Sequence, residues 1–120
     1  MKRIALIAIL TLVALVSTST SVAASTSSCS QATRMAKQYI QTMAFSKSGL
    51  VEQLQYEGFS RGAASCGASH AGANWYAQAV KSAREYLRTM PFSRSGLIEQ
   101  LEYEGYTHAQ AAYGVSRAYR

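Results

Sequence analysis

From Asn74 onward the apolar residues fall at helical spacing. Tyr76, Ala79, Val80, Ala83, Leu87 and Met90 recur every three or four positions and share one face. Asn74 offers a side-chain acceptor to the free amides of a first turn. Pro91 lacks an N–H, and its ring crowds the preceding turn, so the helix ends or kinks there. A second apolar set, Leu97, Ile98 and Leu101, follows Ser93 and Ser95, either of which can cap a second helix. Gly105 suits the left-handed position that stops it. Thr107 with Gln110 three residues on forms a capping box. It opens a third helix that buries Ala111, Ala112, Val115, Ala118 and Tyr119. No stretch alternates apolar and polar residues as a strand would, so the expected fold class is all-α.

The same pattern occurs twice. Phe45-Ser-Lys-Ser-Gly-Leu-Val-Glu-Gln-Leu-Gln-Tyr-Glu-Gly58 returns as Phe92-Ser-Arg-Ser-Gly-Leu-Ile-Glu-Gln-Leu-Glu-Tyr-Glu-Gly105, an offset of 47 residues. Aligning 32–73 with 79–120 gives 20 identical pairs out of 42. Most other pairs are conservative, as with Lys37/Arg84, Val51/Ile98 and Phe59/Tyr106. The expected architecture is a tandem duplication of a compact three-helix unit resembling a helix-turn-helix, spanning 25–73 and 74–120. Ser60 replaces Thr107 as a cap in the first unit. Phe45 and Phe92 are expected to plug their own cores, and Trp75 to pack between the units. The repeat-equivalent tyrosines Tyr39/Tyr86 and Tyr56/Tyr103 are expected to be half-buried with a wet hydroxyl.

Residues 1–24 read differently. Lys2 and Arg3 precede a run from Ile4 to Val16 that only Thr11 interrupts, and Val22-Ala23-Ala24-Ser25 follows. This is the charged, apolar and small-residue order of a secretory signal, with cleavage expected between Ala24 and Ser25. The apolar run is 13 residues, short of the ~20 that cross a bilayer. Lipidation would need a Cys directly after the cleavage point, where Ser25 stands. Contact with the membrane is therefore expected only through the uncleaved signal. The mature chain is expected to be secreted or surface-associated after Sec export, as a monomer.

Composition narrows the function. A chain of 120 residues leaves no room for a TIM barrel or a full Rossmann enzyme. Its formal charge is +6, which falls to +4 once Lys2 and Arg3 are removed, with ten basic and six acidic residues. All six acids are Glu.

The two cysteines form a pattern within the repeat. Cys29 aligns with Tyr76 and Cys66 with Tyr113, so both members of one position pair change together. Two positions that touch would behave in this way, joined by a Cys29–Cys66 disulfide in one unit and a Tyr76–Tyr113 contact in the other. An exported chain with an even cysteine count favours that pairing. The alternative is a pair of free or intermolecular thiols.

Catalytic signals are weak. His70 and His108 occupy non-equivalent repeat positions, and no HExxH, CxxC or EF-hand loop is present. Without Asp there is no Ser-His-Asp triad. Glu99 and Glu102 lie three residues apart on one helical face, but Glu102 is Gln55 in the first unit, so a solvated acidic face is expected, open to docking by a basic partner. Lys81, Arg84 and Arg88, joined by Arg34 and Lys37, could line a basic side. Export argues against operator DNA as its ligand. No enzyme activity, cofactor, metal or nucleic-acid partner is expected.

The core 92–106, with Ala83-Arg-Glu-Tyr-Leu87 before it and Ala109-Gln-Ala-Ala-Tyr-Gly-Val115 after it, resembles the Ltp family of host cell surface-exposed lipoproteins. Both units, about 30–120, share the likeness. The resemblance implies tandem three-helix repeats displayed outside the membrane of Gram-positive bacteria. It also implies superinfection exclusion for some prophage-encoded members, which block DNA injection through the incoming phage's tape-measure protein. The expected function is a non-enzymatic contact module with a protein partner at the envelope. Glu52, Tyr56, Glu99, Glu102 and Tyr103 are its candidate surface, and a secreted binder of anionic wall polymers or an envelope structural protein of unassigned role is the alternative.

Overall fold

The computed structural model describes residues 21–120, with side-chain surroundings from Ser28 onward. Residues 1–20 of the expected signal lie outside the described residues. The expected cleavage point, Ala24–Ser25, falls in the first turns of α1. Six helices follow one another: α1 Ser21–Thr42, α2 Lys47–Tyr56, α3 Arg61–Ser69, α4 Trp75–Thr89, α5 Arg94–Tyr103 and α6 His108–Ala118. No strand occurs among the described residues.

The caps follow from the sequence. Ser46, Ser60, Asn74, Ser93 and Thr107 each sit in extended backbone and accept from an amide in the first turn. Thr107 and Gln110 complete the reciprocal capping box. Of the two candidate caps for α5, Ser93 is used and Ser95 is left exposed. Gly58 and Gly105 terminate α2 and α5 at φ of 109° and 107°, where a side chain would be strained. Helix α1 begins well before its repeat counterpart α4, so Cys29 lies two turns inside it.

Each unit has its own core. Leu50 and Leu54 of α2 are fully buried with Ala32, Ala36, Ala64 and Ala68. Leu97 and Leu101 of α5 repeat this against Ala79, Ala83, Ala111 and Val115. Burial contributes roughly 2 kcal/mol for each such leucine. Small residues let the first and third helices of each unit approach closely. A Cβ on Gly67 would lie 2.6 Å from Ala32 backbone, and one on Gly114 would lie 2.7 Å from Ala79 backbone. Phe45 and Phe92 pack against their cores as expected, edge-on to Tyr39 and Tyr86 at 5.5 and 5.6 Å. Trp75 packs on the first core.

The expected exchange of staples is present. Cys29 and Cys66 form a disulfide with Cα atoms 5.6 Å apart. The Tyr76 and Tyr113 rings meet edge to face at 5.4 Å. The expected half-burial of Tyr56 and Tyr103 fails: they are 86% and 87% exposed. Each stands on the last turn of its helix, beyond the leucine face, with no neighbouring element to cover it. Met90, placed on the apolar face of α4, is also exposed because that helix ends there.

Candidate functional site

The two units meet along a polar seam. The loop between α1 and α2 presents Ser46 and Ser48 to the turn after α5. Ser46 Oγ donates to the Glu104 carbonyl at 2.6 Å and accepts from Gly49 N at 2.9 Å, so one hydroxyl caps α2 and joins the units. Ser48 Oγ reaches the Gly105 carbonyl at 3.4 Å. Phe45 N donates to Gln78 Oε1 at 3.0 Å, and Gln78 Nε2 donates to the Ile40 carbonyl at 3.5 Å. Lys81 Nζ donates to that same carbonyl at 3.0 Å, capping the free end of α1. Ser46 and Gln78 are only 3% and 7% exposed, and both are satisfied by these bonds.

Above the seam lies an open groove of about 570 Å³, lined among others by Phe45, Ser48, Glu52, Tyr103 and Glu104. A second groove of about 550 Å³ shares Ser48, Glu52 and Gly105 with it and runs on to Trp75, Arg61 and Gln110. Of the residues expected to form a surface, the fold therefore brings together Glu52 of the first unit and Tyr103 of the second. Tyr56 and Glu99 are exposed outside the first groove. Glu102 hydrogen-bonds instead with Nδ1 of His108.

Electrostatics differ at equivalent positions. Glu57 accepts from the Tyr39 hydroxyl and from Gln53 Nε2, which holds its carboxyl below the usual range; Tyr39 is raised in turn. Glu104 is half-buried at the seam, and desolvation raises its carboxyl despite the Ser82 hydroxyl beside it. Tyr106, buried beneath it with its hydroxyl donating to the Gln78 carbonyl, is pushed well above the usual phenol range by burial.

The expected basic side is redistributed. Lys81 is held at the seam, while Arg84 and Arg88 join Arg117 and Arg120 around a recess of about 400 Å³. Arg117 also lies over the Tyr113 ring at 4.7 Å. Cys29, Cys66 and His70 gather within 4.8 Å of one another, but the disulfide ties up both sulfurs and leaves no thiolate for a metal.

Sequence reasoning missed the seam itself. No local signal marks it: Phe-Ser-Lys/Arg-Ser-Gly recurs in both units, and in the second unit Ser93 and Ser95 are exposed.

The chain matches the family model of the host cell surface-exposed lipoproteins over residues 29–70 and again over 74–117. Tandem three-helix repeats of this class define the molecule, and the chain belongs to that family. No curated protein and no solved structure matches it. Among the described residues no helix is long and apolar enough to cross a membrane.

Proposed function

We propose that the mature chain is an exported, non-enzymatic contact module that docks a protein partner at the cell envelope and thereby blocks phage DNA injection. One observation carries this reading. Tyr103, a large aromatic left 87% exposed, borders a groove with Glu52 and Glu104, and both units are needed to build it. Exposed tyrosines give rigid, amphipathic anchors, and carboxylates beside them favour a basic partner segment. Family membership supports display at the cell surface. A basic stretch of a phage tape-measure protein fits such a groove in charge.

The test is expression in a susceptible bacterium, with phage adsorption and DNA injection measured separately. Normal adsorption with blocked injection is expected. Full sensitivity across a broad phage panel would overturn the reading.

A second reading rests on Arg84, Arg88, Arg117 and Arg120, which have no acidic partner among the described residues. Their recess suits an anionic wall polymer. Binding there would weaken steeply as salt rises.

A further inference from the structure

The seam is heterologous: the first unit offers one face and the second unit a different one. Because the units are repeats, each also carries the face it does not use. The first unit's used face consists of the Ile40 carbonyl, Phe45 N and the hydroxyls of Ser46 and Ser48. Its counterparts on the second unit are Leu87, Phe92, Ser93 and Ser95. The second unit's used face consists of Gln78, Lys81, Glu104 and Gly105, and its counterparts on the first unit are Gln31, Arg34, Glu57 and Gly58. Six of these eight pairs are identical. In the other two a leucine carbonyl replaces an isoleucine carbonyl and an arginine replaces a lysine, so the chemistry is kept.

The unused faces are open. Gln31, Arg34, Glu57, Gly58, Ser93 and Ser95 are all exposed, whereas Ser46 and Gln78 are buried in the seam. At Gly105 a Cβ would lie 2.0 Å from Ser48 Oγ, while at Gly58 the same position meets nothing within 4 Å. The first unit thus has, in its own copy of the turn, the space that a serine fills in the second. Two differences stand out: Trp75 lies on the first core, where Ser28 takes its repeat position and the second core is packed by the chain's own Tyr119, and α1 runs on before the point where α4 starts.

We propose that these faces take a second copy of this chain, head to tail: the second unit of one molecule docks on the first unit of the next by the bonds that join the units within a chain. Gln31 of the incoming copy meets Phe92 N and the Leu87 carbonyl, Arg34 meets that same carbonyl, and Ser93 and Ser95 meet the Glu57–Gly58 turn. A heterologous contact of this kind leaves a free face at each end, so association does not stop at a dimer. Without the tether and Trp75 it is weaker than the seam, and the expected monomer is its low-concentration state.

Sedimentation velocity of the mature chain over rising concentration tests this. The mass average should climb continuously for the wild type. Arg34→Glu and Ser95→Arg, both on exposed positions, should each weaken self-association at least tenfold, an order of magnitude being about what one charge-assisted hydrogen bond contributes. Mixed together, the two variants should form a heterodimer and stop, since each retains one intact face. A wild type that stays monomeric to about 1 mM overturns the proposal. So does association that neither variant weakens, or a mixture that fails to pair while circular dichroism shows both variants folded.

Discussion

The two units share a backbone plan and half their residues, yet they are held together differently. In the first, a covalent bond ties the first helix to the third; in the second, two tyrosine rings occupy the same pair of positions. In the first, Glu57 stands in solvent and collects hydrogen bonds; in the second, Glu104 is half-buried against the neighbouring unit, and its carboxyl shifts the opposite way. The repeat thus separates what the three-helix fold requires from what position in the chain requires. Leucines, caps and terminating glycines are common to both. Staple and carboxyl environment are not.

The largest contrast should come from the staple. Closing a loop with a sequence separation of 37 is worth about 4 kcal/mol in the chain-entropy model. Cys29→Ser/Cys66→Ser should cost about that in urea unfolding, and Tyr113→Ala about 1 kcal/mol. Equal costs would mean that the covalent bond adds nothing beyond the ring contact that replaces it in the second unit.

The terminating glycines give the next contrast. Gly58→Ala should cost about 1–2 kcal/mol, from backbone strain alone. Gly105→Ala adds overlap with Ser46 and Ser48 across the seam, for a total of about 3 kcal/mol. Thermal denaturation of the pair measures the difference.

The capping serines differ less. Ser93→Ala removes one cap, for about 1 kcal/mol. Ser46→Ala removes the same cap and also strands the Glu104 carbonyl, for about 2 kcal/mol. Chemical denaturation of both variants at one pH reads this directly.

Acid titration gives the smallest effect, with opposite signs in the two units. Glu57 is lowered, so its contribution is present above the unfolded carboxylate range and is lost as pH falls through its folded value. Glu104 is raised, so its contribution is fully present below the unfolded value and is lost as pH rises through its folded one. Melting temperature followed from pH 7 toward pH 4 should therefore fall less for Glu57→Gln than for wild type, and more for Glu104→Gln.

Much of the fold was legible because its signals are local. Asn74, Ser60 and the Thr107–Gln110 box mark helix starts by the chemistry of three or four residues. The disulfide was legible for another reason: the repeat holds a second version of the same contact at Tyr76 and Tyr113. The seam was not legible, since Ser46 and Glu104 are 58 residues apart, and a buried serine reads in sequence like any cap. The exposure of Tyr56 and Tyr103 does not follow from repeat equivalence. Recurrence constrains a residue's place on its helix but does not say which elements reach it. The Arg84–Arg120 recess needed the fold to bring the end of α4 beside the end of α6.

Amide hydrogen exchange, resolved by helix and compared with and without a disulfide reductant, bears most directly on the claim that one fold is stapled in two ways. On this account, reduction strips protection from the amides of α1, α2 and α3, while those of α4, α5 and α6 keep most of theirs. Uniform loss across all six helices, or no change in the first three, would contradict it.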